Sequence, residues 1–127
     1  MFTIMVVEDD LALQRMMCAF LGLNGYQTIP AANGEEALDA IERVMPDLVI
    51  ADVMMPVMDG YQALVGIRNL EKERNIPEEK AAKVIMTTAL NDEKNVKMAF
   101  ELGCTIYSGK PIDQERFEQA LKKLGLV

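Results

Sequence analysis

The sequence has no histidine and no tryptophan, and only two cysteines, Cys18 and Cys104. The cysteines form no CxxC pair, and without histidine there is no ligand set for zinc. They read as reduced thiols of a cytoplasmic protein, not as a disulfide. Basic residues are also scarce: 13 Lys and Arg stand against 20 Asp and Glu, for a net charge of −7. That balance argues against direct DNA binding, which needs basic groups to replace counterions, and against docking on an anionic membrane. No apolar run reaches the length of a bilayer span. The opening MFTIMVVEDD lacks the basic region of a signal peptide and soon meets acidic residues. Repeats, linkers and low-complexity segments are absent as well.

What the chain does have is apolar content, 50% of 127 residues. This suits one core and one domain, residues 1–127. Thr3 to Val7 reads as a first strand. A helix follows with Leu13, Met16, Met17, Phe20 and Leu21 on one face, ended by Gly22 and Asn24-Gly25. Tyr26 to Ala31 is a second strand. Asn33-Gly34 opens a helix with Ala37, Leu38, Ile41, Val44 and Met45 on one side, stopped by Pro46.

Leu48 to Ala51 is wholly apolar, as a central strand covered on both faces should be. The third helix carries Ala63, Leu64, Ile67 and Leu70, and Val84 to Thr87 is a fourth strand. Val96, Ala99 and Phe100 mark a fourth helix ending near Gly103. Thr105 to Ser108 is a fifth strand, and Phe117, Ala120, Leu121 and Leu124 mark the last helix. Strand and helix alternate five times with short connections, which predicts an α/β fold with a doubly wound parallel sheet. The charged stretch Glu71 to Lys83, with Pro77 inside it, reads as a solvated helix end plus loop.

In an open parallel sheet, ligands bind beyond the carboxyl ends of the strands. Glu8, Asp9 and Asp10 follow the first strand, Asp52 the third, Thr87-Thr88-Ala89 the fourth and Lys110-Pro111 the fifth. Glu8, Asp9 and Asp52 bring three negative charges against the one positive charge of Lys110. Close carboxylates must hold protons or a cation. An all-oxygen donor set favours Mg²⁺, with Mn²⁺ as a substitute. Asp10 reads as the N-cap of the first helix, and Asp59-Gly60 as the turn into the third. Thr87 lies one residue before Thr88, so a strand points it to the opposite face.

Val6-Val7-Glu8-Asp9-Asp10, the run Asp52-Val53-Met54-Met55-Pro56-Val57-Met58-Asp59-Gly60, Thr87-Thr88-Ala89 and Lys110-Pro111 resemble the four signatures of the bacterial response-regulator receiver family. The resemblance covers nearly the whole chain, in order, and the chemotaxis regulator is the best-known single-domain member of that family. It implies a five-stranded flavodoxin-like (βα)5 fold. The strand order 2-1-3-4-5 comes with the resemblance, not from the pattern of elements. It also implies that Asp52 is the phosphoacceptor. Glu8, Asp9, Asp52 and the Met54 backbone carbonyl would bind Mg²⁺. Thr88, Ala89 and Lys110 would contact the phosphoryl group. Thr88 and Tyr107 would form the switch, and Lys110-Pro111 a cis peptide bond. Two positions depart from the usual pattern: Glu8 stands where aspartate is frequent, and Gly109 where a bulkier apolar residue is frequent.

The function so implied is that of a stand-alone response regulator in a two-component phosphorelay. It is a phosphoacceptor signalling domain, not an enzyme acting on an outside substrate. A sensor histidine kinase or phosphotransfer protein would supply the phosphoryl group. The surface of the fourth helix, fifth strand and fifth helix would then bind a downstream target protein. The chain reaches Leu126-Val127 just after the last helix, so that output is expected to be a protein and not DNA. Met54 and Leu90, two residues after Asp52 and Thr88, are apolar and would hinder an attacking water. The alternative is a phospho-independent binding module that kept the fold. A phosphohydrolase would want an aspartate where Met54 stands, and a nucleotide-binding loop Gly-x-x-x-x-Gly-Lys is missing.

Overall fold

The computed structural model describes residues 2–53, 58–88, 93–109 and 114–125; for residues 88, 93–95, 109 and 114 it describes the backbone. The strands are β1 (Thr3–Val7), β2 (Gln27–Ala31), β3 (Leu48–Asp52), β4 (Lys83–Thr88) and β5 (Ile106–Gly109). The helices are α1 (Leu11–Leu23), α2 (Gly34–Arg43), α3 (Gly60–Glu73), α4 (Glu93–Glu101) and α5 (Gln114–Lys123), with a short 3-10 turn at Glu78–Lys80. All four strand pairings are parallel, in the order β2-β1-β3-β4-β5. The doubly wound fold expected from the sequence is therefore the fold of the chain.

Alternation along the central strands builds two cores. Met5, Val7, Val49, Ala51, Val84 and Met86 face α2, α3 and α4, meeting Ile41, Leu64, Ile67 and Ala99. Ile4, Val6, Leu48, Ile50 and Ile85 face α1 and α5, meeting Leu21, Phe117 and Leu121. Every residue of β3 is buried, including Asp52, which explains its unbroken apolar run. Burying one such leucine or isoleucine contributes about 1.5–3 kcal/mol.

β2 lies at the edge of the sheet and contains Pro30, paired in register with Val6. Gln27 donates its N–H to the Phe2 carbonyl, and the Ala31 carbonyl accepts from Glu8 N–H. Alternation then turns the backbone of Pro30 away from β1, where a missing N–H costs no ladder bond.

Four expectations are corrected. Met16 is exposed, and Gln14 takes the buried place on α1 because its amide finds two carbonyl partners. α2 ends at Arg43, with Val44 already extended and half exposed, so neither Val44 nor Met45 belongs to its apolar side. The chain straightens before Pro46, whose ring disfavours helical backbone in the preceding residue. Phe100 is exposed on α4, while Ala99 faces the core. The start of the Glu71–Lys83 stretch is not solvated: Glu71 is buried, accepting the Ala82 N–H at 2.7 Å and pairing with Arg68 at 2.8 Å. Arg68 also donates to the carbonyls of Ala82 and Gly103, which ties α3 to the start of β4 and the end of α4.

Candidate functional site

Register brings the acidic residues together. Val7 pairs with Ala51 at the carboxyl ends of β1 and β3, so Glu8 and Asp52 emerge side by side. These two strands meet where the chain order reverses, with β2 on one side of β1 and β3 on the other. Carboxylate oxygens of Glu8, Asp9 and Asp52 lie within 4.8 Å of one another, with Glu8 and Asp52 buried and Asp9 exposed. At that separation two buried charges repel by about 3 kcal/mol even at an effective dielectric near 20. The donor set fits a hard divalent cation that keeps part of its water, and Asp9 provides the open side.

Glu8 is held on three sides. Its N–H donates to the Ala31 carbonyl at 3.0 Å, and its carbonyl accepts from Gln14 Nε2 at 3.3 Å. Its carboxylate accepts the Asp10 N–H at 3.2 Å. Gln14 Nε2 also donates to the Ala31 carbonyl at 3.0 Å, so one buried amide links α1, the end of β1 and the end of β2. Asp10 caps α1 by accepting the Leu13 N–H. The acidic run therefore divides its work: Asp10 starts the helix, and Glu8 and Asp9 face Asp52.

Beyond Asp52, the Val53 N–H donates to the Thr87 carbonyl at 2.8 Å and the Val53 carbonyl accepts from Gly60 N–H at 3.0 Å. Asp59-Gly60 leads into α3 as expected, and Asp59 and Gln62 form a reciprocal capping box at its start. Thr87 is buried and its hydroxyl donates to the Ala51 carbonyl, which keeps it within the sheet. Thr88 ends β4 in register with Gly109 of β5. Tyr107 is half-buried on the α3 side, with its hydroxyl 3.4 Å from that of Tyr61. Met54, Leu90, Ala89, Lys110 and Pro111 lie outside the described residues. Sequence reasoning missed Gln14 and Tyr61; the available signals were an amide inside an apolar helical stripe and an aromatic directly after the Asp-Gly turn.

A model of the response regulator receiver domain matches residues 4–122. The chain belongs to the response regulator receiver family. This receiver is 32% identical over 120 residues to sporulation initiation phosphotransferase F of Bacillus subtilis (strain 168), covering 94% of the receiver and 90% of that protein. It is 37% identical over 121 residues to probable transcriptional regulator ycf27 of Cyanophora paradoxa, covering 95% of the receiver and 47% of that protein. The receiver thus spans about half the length of the ycf27 relatives.

Among solved structures, chemotaxis protein CheY4 of Vibrio cholerae superposes with a TM-score of 0.85 at 25% identity, covering 98% of each chain. A chain of the CheX-CheY-BeF3-Mg+2 complex from Borrelia burgdorferi superposes with a TM-score of 0.85 at 28% identity, covering 98% of the receiver and 89% of that chain. Receivers are signalling domains of two-component response regulators that meet histidine kinases or phosphotransfer proteins and downstream targets. They bind Mg²⁺ at an acidic pocket, and Glu8, Asp9 and Asp52 form such a cluster here.

Proposed function

We propose that residues 1–127 act as one receiver domain that accepts a phosphoryl group on Asp52 and relays the signal to a target protein in the cytoplasm. The observation that carries this reading is the convergence of Glu8 and Asp9 on a buried Asp52 at the point where the strand order reverses. An Asp52 carboxylate oxygen attacks phosphorus in line, the phosphorus–nitrogen bond of a partner's phosphohistidine breaks, and the imidazole leaves with that electron pair. Glu8, Asp9, Asp52 and the Met54 carbonyl would hold Mg²⁺. When bound, the ion supplies positive charge against the developing phosphoryl oxygens.

Thr88, Ala89 and Lys110 would contact those oxygens. Occupancy draws Thr88 towards Asp52 and raises the share of inward Tyr107, which reshapes the α4–β5–α5 face. The phosphoryl group shifts this equilibrium by binding one state better than the other. No helix among the described residues is long and apolar enough to cross a membrane.

The test is incubation with acetyl phosphate and Mg²⁺ followed by mass measurement. Wild type is expected to gain one phosphoryl group, and Asp52→Asn none. A well-folded wild type that gains no mass, or an Asp52→Asn variant that gains it equally, overturns the assignment.

A further inference from the structure

The hydroxyl groups of Tyr61 and Tyr107 meet at 3.4 Å across 46 residues of sequence, in a partly buried setting. Both rings pack against the core cluster that contains Met86, and Met86 is the residue of β4 in register with Tyr107. From these contacts we propose that Tyr61 is a positioning residue for Tyr107, holding its ring inward on the α3 side and tying that ring to the Asp52 end of β3. The proposal rests on the switch reading of Tyr107 given above and names the partner that reading lacks.

The tie to Asp52 is short and stiff. Tyr61 is the second residue of α3, and the first turn of that helix has little slack. Asp59 is locked by its capping box, and Gly60 donates its N–H to the Val53 carbonyl while resting directly on the Asp52 backbone. Where β3 ends therefore decides where Tyr61 stands. The phenol contact is different in kind. At 3.4 Å it lies beyond the usual range of about 2.5–3.0 Å for O–H···O, so a small turn of either ring makes or breaks it. A stiff base with a weak tip suits a latch, because the backbone carries the position and the hydroxyls set the balance. This path from Asp52 through Gly60 and Tyr61 is separate from the one through Thr88.

The test uses ring-labelled tyrosine and carbon NMR. The chain has three tyrosines, so Tyr107→Phe assigns the Tyr107 signals. In the unliganded protein, Tyr61→Phe is expected to lower the inward-to-outward ratio of the Tyr107 ring about two-fold, the low end for a hydrogen bond, as its length implies. The ring of residue 61 is kept, so packing is preserved. The same variant is expected to need more beryllofluoride, with Mg²⁺, for half-saturation, and to have no such effect in a Tyr107→Phe background.

An unchanged Tyr107 ratio in Tyr61→Phe overturns the proposal, as does an equal effect with and without the Tyr107 hydroxyl. A purely structural Tyr61 would lower the melting temperature and leave that ratio alone. Failure of wild type to bind beryllofluoride would count against the receiver function itself, and the ring ratio in unliganded protein would still decide the role of Tyr61.

Discussion

Gly60 rests directly on Asp52: a Cβ carbon added to Gly60 would stand 2.5 Å from the Asp52 carbonyl oxygen and 2.7 Å from Met86 Cε. The methionine methyl could move aside, but the carbonyl belongs to a central strand that cannot. Gly60→Ala is therefore expected to destabilise the protein by about 1–3 kcal/mol through overpacking. A fall in the urea midpoint at unchanged slope checks this, and a midpoint equal to wild type would show that the α3 start yields more easily than its contacts imply.

Glu71 offers a second handle, far from the acidic cluster. Its side chain is 6% exposed and pairs with Arg68, which is 22% exposed. Glu71→Ala would leave the Arg68 guanidinium and the Ala82 N–H without this acceptor, at a cost of about 2–4 kcal/mol. Glu71→Gln keeps an oxygen for Ala82 and should cost about 1–2 kcal/mol. Urea titration of both variants measures the order; a Glu71→Ala protein as stable as wild type would refute it.

Burial pushes the Cys104 thiol up from 9.0 to about 11, against smaller lowering effects of the Met86 and Ile106 backbone and of Arg68. The native protein thus keeps this proton at a pH where the unfolded chain has lost it. Between roughly pH 9 and 11 the unfolded state binds fewer protons, so this thiol's contribution to stability is present below pH 9 and is lost as pH rises. Cys104→Ala should remove that part of the alkaline decline. Parallel stability profiles for the two proteins from pH 8 to 11 would contradict the assignment.

Under the proposed function, Met54 and Leu90 would bear on the lifetime of the phosphorylated form. Apolar side chains two residues after Asp52 and Thr88 give no hydrogen bond to an attacking water. Slow self-dephosphorylation is expected, with a Met54→Asn, Leu90→Glu double variant about ten-fold faster, equivalent to about 1.4 kcal/mol of barrier. Decay of phosphoprotein mass after removal of the donor measures both rates, and faster loss from wild type would reverse the conclusion.

The fold was legible because parallel strands buried on both faces leave unbroken apolar runs, as at Leu48 to Ala51. The acidic cluster was legible because Glu8 and Asp9 follow one strand and Asp52 stands at the carboxyl end of another. What stayed hidden were side chains whose partners lie far along the chain. Glu71 reads as one more charge in a charged stretch until Ala82, 11 residues on, is seen to donate to it. Tyr61 reads as a helix residue until Tyr107 is beside it. Gln14 and Met16 exchanged their expected places because helical period marks a face but does not say which polar group finds partners there. The apolar spacing of α2 continues through Val44 and Met45, past the point where the backbone leaves the helix.

Pro30 has a consequence for how these molecules behave in a crowd. β2 is an outer strand, and its outward backbone would otherwise offer a donor to any passing extended chain. A proline there removes one of the two outward hydrogens, leaving that of Thr28, so a sixth strand would gain fewer ladder bonds. Copies of this protein therefore find a poorer template along that margin, and the sheet's growth is discouraged on the side nearest the acidic cluster.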